Sequence, residues 1–167
     1  MNGPPLVKII DKLKEAHKLP GDPTELIEVY STMIRQAYES APPANGALVL
    51  LQRARRHGWK VAVVTSSPRL SVLEWLMRSG LSSQVDAVVG GDEVAFGKPA
   101  PDPYTLALSR VHCTPAASIA VEDSRIGATS AVSAGLSTWV LTHPCDRFDW
   151  PTEVGFINHL TDLMEML

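Results

Sequence analysis

Residues 118–135 read SIAVEDSRIGATSAVSAG, which is a short apolar run, two adjacent acids and then a segment rich in small residues. The run Ser118–Val121 predicts a buried strand, and the stretch Ile126–Gly135 predicts the helix that follows it. A buried strand that leads directly into a helix is typical of β-α units built on a parallel sheet. This stretch therefore predicts an α/β fold.

The same alternation of strand and helix extends on both sides of that stretch. The predicted strands are Trp59–Val64, Asp86–Val89, Ser118–Val121 and Ser137–Leu141, with helices between them. Such units form a Rossmann-like parallel sheet with right-handed crossovers. Ligands of these sheets bind beyond the carboxyl ends of the strands. The residues that follow each strand are therefore the candidates for function.

The first 43 residues have a different pattern. Leu6, Ile9, Ile10 and Leu13 form one apolar stripe at helical spacing, and Asp22 followed by a proline predicts the cap of a second helix. The breaker-rich segment 41–46 then marks a boundary. We expect two domains, a helical one over 1–43 and an α/β core over 44–167.

Composition excludes several classes of function. The 167 residues are 45% hydrophobic and 20% charged, which is an ordinary globular composition. A net charge of −3 argues against a nucleic-acid partner or an anionic membrane surface, and no apolar run approaches the roughly 18 residues of a spanning helix. The two cysteines, Cys113 and Cys145, indicate neither a disulfide framework nor a metal site, so we expect a cytoplasmic protein.

Hydroxyl side chains and a lysine follow the first two predicted strands. Thr65, Ser66 and Ser67 come after the first strand, next to the start of a helix. Helix N-termini favour anions, although a serine there is also an ordinary helix cap. Lys98 lies between a glycine and a proline after the second strand, where it either neutralises an anion or is simply solvated.

Glu122 and Asp123 form an acid pair directly after the third predicted strand. Such residues either cap the next helix or hold a hard cation such as Mg²⁺ through oxygen ligands. A phosphate-binding hydroxyl, a lysine and a carboxylate pair are together what phosphoryl transfer requires, because its catalysis is mainly positioning and charge stabilisation. The three loops therefore predict phosphate chemistry at one edge of the sheet.

Three segments carry a family resemblance that extends over nearly the whole chain. VAVVTSSPR (61–69), GKPAPDPY (97–104) and IAVEDSRIGATSAVSAG (119–135) resemble the second, third and fourth motifs of the haloacid-dehalogenase-like (HAD) superfamily. The likeness is greatest to its β-phosphoglucomutase-like and phosphoglycolate-phosphatase-like members. The resemblance implies a HAD-like core, with residues 1–43 as part of a helical cap.

The resemblance also assigns roles to the residues at the strand ends. It implies that Thr65 binds phosphate, with Ser66 and Ser67 as further donors in its loop. It implies that Lys98 bridges the phosphate and the nucleophile, so Thr65 and Lys98 are the expected catalytic residues. Asp123 is the implied Mg²⁺ ligand, with Glu122 as its acidic companion.

The first motif of that superfamily does not occur in these 167 residues. That motif, Asp-x-Asp, supplies a nucleophilic aspartate and a general acid/base on a central first strand. Asp11 and Asp22 do not match it, because neither follows an apolar strand. The resemblance therefore implies a chain without its first, central strand, in which Mg²⁺ binding is weak or absent.

We accordingly expect a Mg²⁺-dependent phosphatase or phosphomutase type of protein, acting on a small phosphate ester but N-terminally truncated and inactive as this chain alone. The expected ligand is a small phosphorylated metabolite or inorganic phosphate. Two alternatives stay open: a non-catalytic module that binds phosphate or a partner, and an enzyme completed in trans by a chain carrying Asp-x-Asp.

The missing strand also has a consequence for assembly. It leaves the apolar strands Val61–Val64 and Ile119–Val121 with unpaired edges that face a gap. The gap is closed by direct pairing, by a local segment such as Leu6–Ile10, or by association. We expect association as a homodimer.

Overall fold

The computed structural model describes residues 6–142 and 149–166, and the chain divides into two compact units, Met1–Pro42 and Pro43–Leu167. The first unit contains helices α1 (Leu6–His17) and α2 (Pro23–Ser40), which pack against each other. The predicted cap of α2 is confirmed, because the Asp22 carboxylate accepts a hydrogen bond of 2.7 Å from the backbone N–H of Thr24.

The second unit alternates helices and short parallel strands, which confirms the predicted α/β class. Its elements are α3 (Ala47–Arg56), β1 (Ala62–Val64), α4 (Arg69–Arg78), β2 (Ala87–Val89), α5 (Asp102–Val111), β3 (Ile119–Glu122), α6 (Arg125–Ser133), β4 (Ser137–Leu141) and β5 (Val154–Ile157), followed by a 3₁₀ segment, Leu160–Glu165. None of the helices in the described part of the chain is long and apolar enough to cross a membrane.

The strand β5 was not among the sequence predictions. It has only four residues, one of which is Gly155, and glycine weakens a strand because it has no side chain to pack. Tertiary packing compensates for this. Gly155 lies opposite Trp139 of β4, and the Trp139 ring occupies the space that a Cβ at Gly155 would need. The contact explains why a glycine fits at this position of the strand.

The strands form two separate parallel sheets, one with the order β1-β2 and the other with the order β3-β4-β5. Among the described residues, β1 and β3 do not pair with each other, and a cavity of about 620 Å³ is lined by both strands and by α5. Leu6–Ile10 is part of the helix α1 and so does not provide a strand. The described residues therefore leave the gap between β1 and β3 that the sequence analysis expects.

Each sheet has its own apolar core. The core beside β2 consists of Val72, Leu76, Leu81 and Val88. The core beside β3 consists of Tyr104, Leu108, Ala120, Ala131 and Leu136. Val64 at the end of β1 packs against the second cluster, so the two sheets share one body although their strands do not pair. This keeps the carboxyl ends of β1 and β3 close together.

Glu93 links the end of β2 to α5. Its carboxylate accepts two hydrogen bonds from Arg110, at 2.8 and 3.0 Å, and one of 2.9 Å from the backbone N–H of Gly90. Arg110 also donates to the carbonyl oxygen of Val88. The Arg110 hydrogen bonds, with the one from Gly90, lower the pKa of Glu93 from 4.5 to about 2, against the opposing effect of burial.

This ion pair predicts a pH-dependent stability. Replacing Glu93 with Gln should lower the free energy of unfolding at pH 7 by about 1–2 kcal/mol, a value reduced for solvent screening. Because the native pKa is depressed, the stabilisation is complete above pH 4.5 and is lost as the pH falls toward 2. Urea unfolding of the unmodified chain and of Glu93→Gln at pH 7 and pH 3 measures the loss of stability and its pH dependence. A Glu74→Gln control on α4 should leave the free energy of unfolding unchanged at both pH values. An equal loss of stability in Glu93→Gln at the two pH values would contradict the prediction.

Candidate active site

A cavity of about 460 Å³ lies at the carboxyl ends of β1 and β3. Its polar lining residues are Thr65, Ser66, Lys98, Glu122, Asp123 and Ser124. Five of the six predicted site residues therefore line one cavity, and the sixth, Ser67, does not line it. The larger cavity between the two sheets is lined mainly by apolar side chains and includes none of the six.

The loop after β1 presents hydroxyl groups to this cavity. The hydroxyl oxygen of Thr65 accepts a hydrogen bond of 3.1 Å from the backbone N–H of Ser67, which leaves the hydroxyl proton of Thr65 as a donor. The backbone N–H of Thr65 donates to Val89 of β2 at 3.0 Å, so the loop is attached to the neighbouring strand. Ser66 is exposed and is one of the residues that line the cavity.

The N-cap position of α4 is not occupied by one of the serines that the sequence analysis considered as an ordinary cap. The N-cap residue of this helix is Pro68, which provides no side-chain cap. The carboxylate of Asp92, which follows β2, accepts instead from the backbone N–H of Arg69 at 2.8 Å. An acid from another loop therefore occupies a free N–H of the helix start, and sequence reasoning cannot find a cap that is distant along the chain.

Two glycines let the loop after β2 approach the loop after β1. A Cβ at Gly91 would overlap the carbonyl oxygen of Ser66, and a Cβ at Gly90 would overlap the backbone nitrogen of Arg69. The backbone N–H of Gly91 also donates to the carbonyl oxygen of Ser67 at 3.0 Å. The loop after β1 is thus held in place by direct backbone contact with the loop at the end of β2.

Lys98 joins the ends of the two sheets. Its ammonium donates to the carbonyl oxygen of Val64, at the end of β1, at 3.1 Å and to the Glu122 carboxylate, at the end of β3. The side chains of Lys98 and Glu122 are 7% and 6% exposed. The ammonium also lies 5.3 Å from the centroid of the Tyr104 ring, within the range of a cation–π contact. Two of its three protons are used, which leaves one for a ligand in the cavity.

Glu122 is surrounded by protein groups. Besides Lys98, its carboxylate accepts a hydrogen bond of 2.5 Å from the hydroxyl of Tyr104 and a longer one of 3.4 Å from Ser124. Burial, together with the negative charge of Glu122, raises the pKa of Tyr104 well above its ordinary value, so this hydroxyl stays protonated and donates. Sequence reasoning did not single out Tyr104, although it ends the segment GKPAPDPY.

Asp123 is the exposed member of the acid pair. Its carboxylate makes no hydrogen bond or ion pair with the residues that the structure describes, and Ser124 is the residue that caps α6, by accepting from the backbone N–H of Gly127 at 3.2 Å. Asp123 is therefore available to a ligand. Within residues 6–142 and 149–166, no three His, Cys, Asp or Glu side chains are grouped to hold a metal.

Comparison with known proteins identifies the family. Residues 1–141 match the sequence profile of the haloacid dehalogenase-like hydrolases. The chain is 42% identical over 77 residues to the phosphorylated carbohydrates phosphatase of Thermotoga maritima. That alignment covers 46% of this chain and 36% of that protein. It is 30% identical over 117 residues to a phosphoglycolate phosphatase of Cupriavidus necator. That alignment covers 70% of this chain and 50% of that protein.

Among solved structures, CbbY from Rhodobacter sphaeroides in complex with phosphate has a similar fold, with a TM-score of 0.71 and 27% sequence identity over 87% of this chain and 67% of that one. The chain spans between about a third and a half of the length of the two curated relatives. The profile match nevertheless includes most of the chain and all three quoted motifs. The chain thus belongs to the haloacid dehalogenase-like hydrolases, in the branch of the β-phosphoglucomutase-like and phosphoglycolate-phosphatase-like proteins.

Proposed function

We propose that this chain carries the phosphate-binding part of a phosphatase or phosphomutase that acts on a small phosphate ester. The observation that carries the proposal is the convergence of Thr65, Ser66, Lys98 and Asp123 on one cavity. Hydroxyl and ammonium donors beside a free carboxylate suit a phosphate that binds together with a cation. Two relatives are named as phosphatases, and CbbY was solved with phosphate, which supports the same reading.

The donors have separate roles in this proposal. The hydroxyl proton of Thr65 and the free proton of Lys98 bind phosphate oxygens, with Ser66 as a further donor. Ser67 supports the loop through its N–H rather than by lining the cavity. Because the positive charge of Lys98 is already balanced by Glu122, the lysine contributes a directed hydrogen bond more than an excess charge.

Mg²⁺ is the proposed cofactor, and the donor set fits it only in part. Asp123 offers a free hard-oxygen ligand, whereas the oxygens of Glu122 already accept bonds from Lys98, Tyr104 and Ser124. Mg²⁺ is commonly bound by one or two carboxylates together with substrate phosphates and water. When bound, the ion would neutralise charge on the phosphate oxygens. We therefore expect weak Mg²⁺ binding that phosphate strengthens.

Catalysis by the chain alone is not part of the proposal. The 167 residues contain no Asp-x-Asp, so an aspartate nucleophile is missing from this sequence. A non-catalytic module that binds phosphate or a partner protein is one alternative. The other is completion in trans by a polypeptide with a strand that ends in Asp-x-Asp, and the interrupted sheet favours this second alternative.

One observation outside the chain discriminates between these alternatives. An upstream reading frame that encodes an apolar strand ending in Asp-x-Asp supports completion or a split gene, and its absence supports the binding module.

We also propose a homodimer, since the unpaired edges of β1 and β3 favour association, and light scattering at micromolar concentration decides this. A cytoplasmic location is proposed from the cysteine content alone.

Titration calorimetry with inorganic phosphate tests the proposed site. Replacing Lys98 with Ala should weaken binding by about 10-fold or more, since a hydrogen bond to a charged group contributes about 1.5–3 kcal/mol. Lys60→Ala is the matched control, because Lys60 is an exposed lysine that pairs with Asp86 and lines no part of this cavity. The proposal fails if the unmodified chain does not bind millimolar phosphate, or if Lys98→Ala binds it equally well.

A further inference from the structure

A buried tyrosine stands behind the ion pair at the candidate site. Tyr104 lies on α5 and is 6% exposed. Its hydroxyl donates to Oε1 of Glu122, the same oxygen that accepts from the ammonium of Lys98. The face of its ring also lies beside that ammonium. One side chain therefore contacts both members of the pair, although it does not itself line the candidate site cavity.

The other side of Glu122 is enclosed by the start of α6. Ser124 is within 3.4 Å of Oε2, and Gly127 provides the space for the carboxylate, since a Cβ at that position would overlap it. With α6 on one side and Tyr104 on the other, the carboxylate is enclosed in one orientation. Of the two neutral hydrogen bonds that maintain this orientation, the one from the Tyr104 hydroxyl is the stronger, because the contact from Ser124 is long.

The orientation of Glu122 controls Lys98. A lysine side chain is flexible, and its ammonium has no preferred direction of its own. A buried ion pair keeps its geometry only when the remaining acceptors are satisfied by further hydrogen bonds. If the hydroxyl of Tyr104 is removed, Glu122 loses this short hydrogen bond, and its carboxylate is held less firmly in that orientation. Lys98 then loses the fixed acceptor that aims its third proton at the cavity.

We propose that Tyr104 is a positioning residue, which holds Lys98 at the phosphate cavity through Glu122, and that Glu122 serves the lysine rather than a metal ion. The positioning itself is a property of the folded chain. Only its consequence for phosphate binding rests on the function proposed above, so two separate measurements test the two parts.

The first measurement is the rate at which Lys98 is modified by reductive methylation, followed by mass spectrometry of its peptide with Lys60 as the internal reference. In Tyr104→Phe, which keeps the ring, we expect Lys98 to react about threefold faster or more, as expected when a buried lysine loses a polar partner. Tyr30→Phe, at an exposed tyrosine of α2, should leave the rate unchanged. An unchanged Lys98 rate in Tyr104→Phe overturns the proposal.

A second variant separates positioning from general destabilisation. Leu76→Ala removes a buried side chain from the other core cluster of the same unit. It should lower stability without changing the ratio of the Lys98 rate to the Lys60 rate. If Leu76→Ala raises that ratio as much as Tyr104→Phe does, the role of Tyr104 is structural only, and the proposal is overturned.

The second measurement is phosphate affinity. Tyr104→Phe should weaken the binding of inorganic phosphate by about three- to tenfold, since it perturbs the donor without removing it. Failure of the unmodified chain to bind phosphate would contradict the proposed function while the methylation result still decides the role of Tyr104. Unchanged phosphate affinity in Tyr104→Phe, with binding by the unmodified chain, would overturn the positioning role.

Discussion

An aryl phosphate is expected to be hydrolysed by the 167-residue chain at the uncatalysed rate, with or without Mg²⁺. Enzymes typically accelerate reactions by roughly 10⁶-fold or more, and the covalent route that this family resemblance implies needs an aspartate nucleophile. The sequence contains no Asp-x-Asp, and none of the described residues that line the cavity is a histidine that could activate Thr65 or Ser66. Binding groups without a nucleophile do not provide this acceleration.

The measurement is release of the aryl alcohol at a range of Mg²⁺ concentrations, with Asp123→Ala and Lys98→Ala assayed in parallel. All three proteins should give the same rate as buffer. Robust Mg²⁺-dependent hydrolysis that Asp123→Ala abolishes would contradict the prediction. It would show that another group in the chain acts as the nucleophile.

Gly91→Ala is expected to disrupt both stability and phosphate binding. The new Cβ would overlap the carbonyl oxygen of Ser66, and backbone cannot move aside as the end of a flexible side chain can. Overpacking of this kind costs about 1–3 kcal/mol of unfolding free energy. Because the displaced residues include Ser66 and its neighbour Thr65, the hydroxyl donors should also leave the cavity.

Gly97→Ala provides the matched control. Gly97 precedes Lys98, and a Cβ there would meet no atom within 4 Å. The same chemical change should therefore be neutral or stabilise the chain slightly, by up to about 0.5–1 kcal/mol through the unfolded state. Denaturant unfolding and phosphate titration of both variants test the pair. Similar results for the two substitutions would show that the close approach at Gly91 is not a constraint.

The α/β class and most of the elements followed from local pattern. Apolar runs and turn residues predicted β1 to β4 and the helices around them, because a buried parallel strand and an amphipathic helix each impose a periodicity on the chain. The grouping of Thr65, Ser66, Lys98, Glu122 and Asp123 was predicted from the rule that parallel strands direct their carboxyl ends to one edge.

The features that were missed depend on residues distant along the chain. β5 packs against Trp139 of β4 through Gly155, and the N–H of Arg69 at the start of α4 donates to Asp92 of another loop. Neither contact leaves a periodic signal in the sequence. Glu122 and Asp123 line the same cavity, so the lining alone does not distinguish their roles. The different surroundings of the two side chains do.

The sequence by itself determined the order of the elements, the residue types at each strand end and the lack of Asp-x-Asp, since these are properties of short segments. Only the tertiary structure decided that Glu122 is buried against Lys98 and Tyr104 while Asp123 stays free. Glu122 is the last residue of β3 and shares its buried face with Ala120, whereas Asp123 follows the end of the strand. Which face is enclosed depends on α5 and α6, whose packing no local pattern encodes.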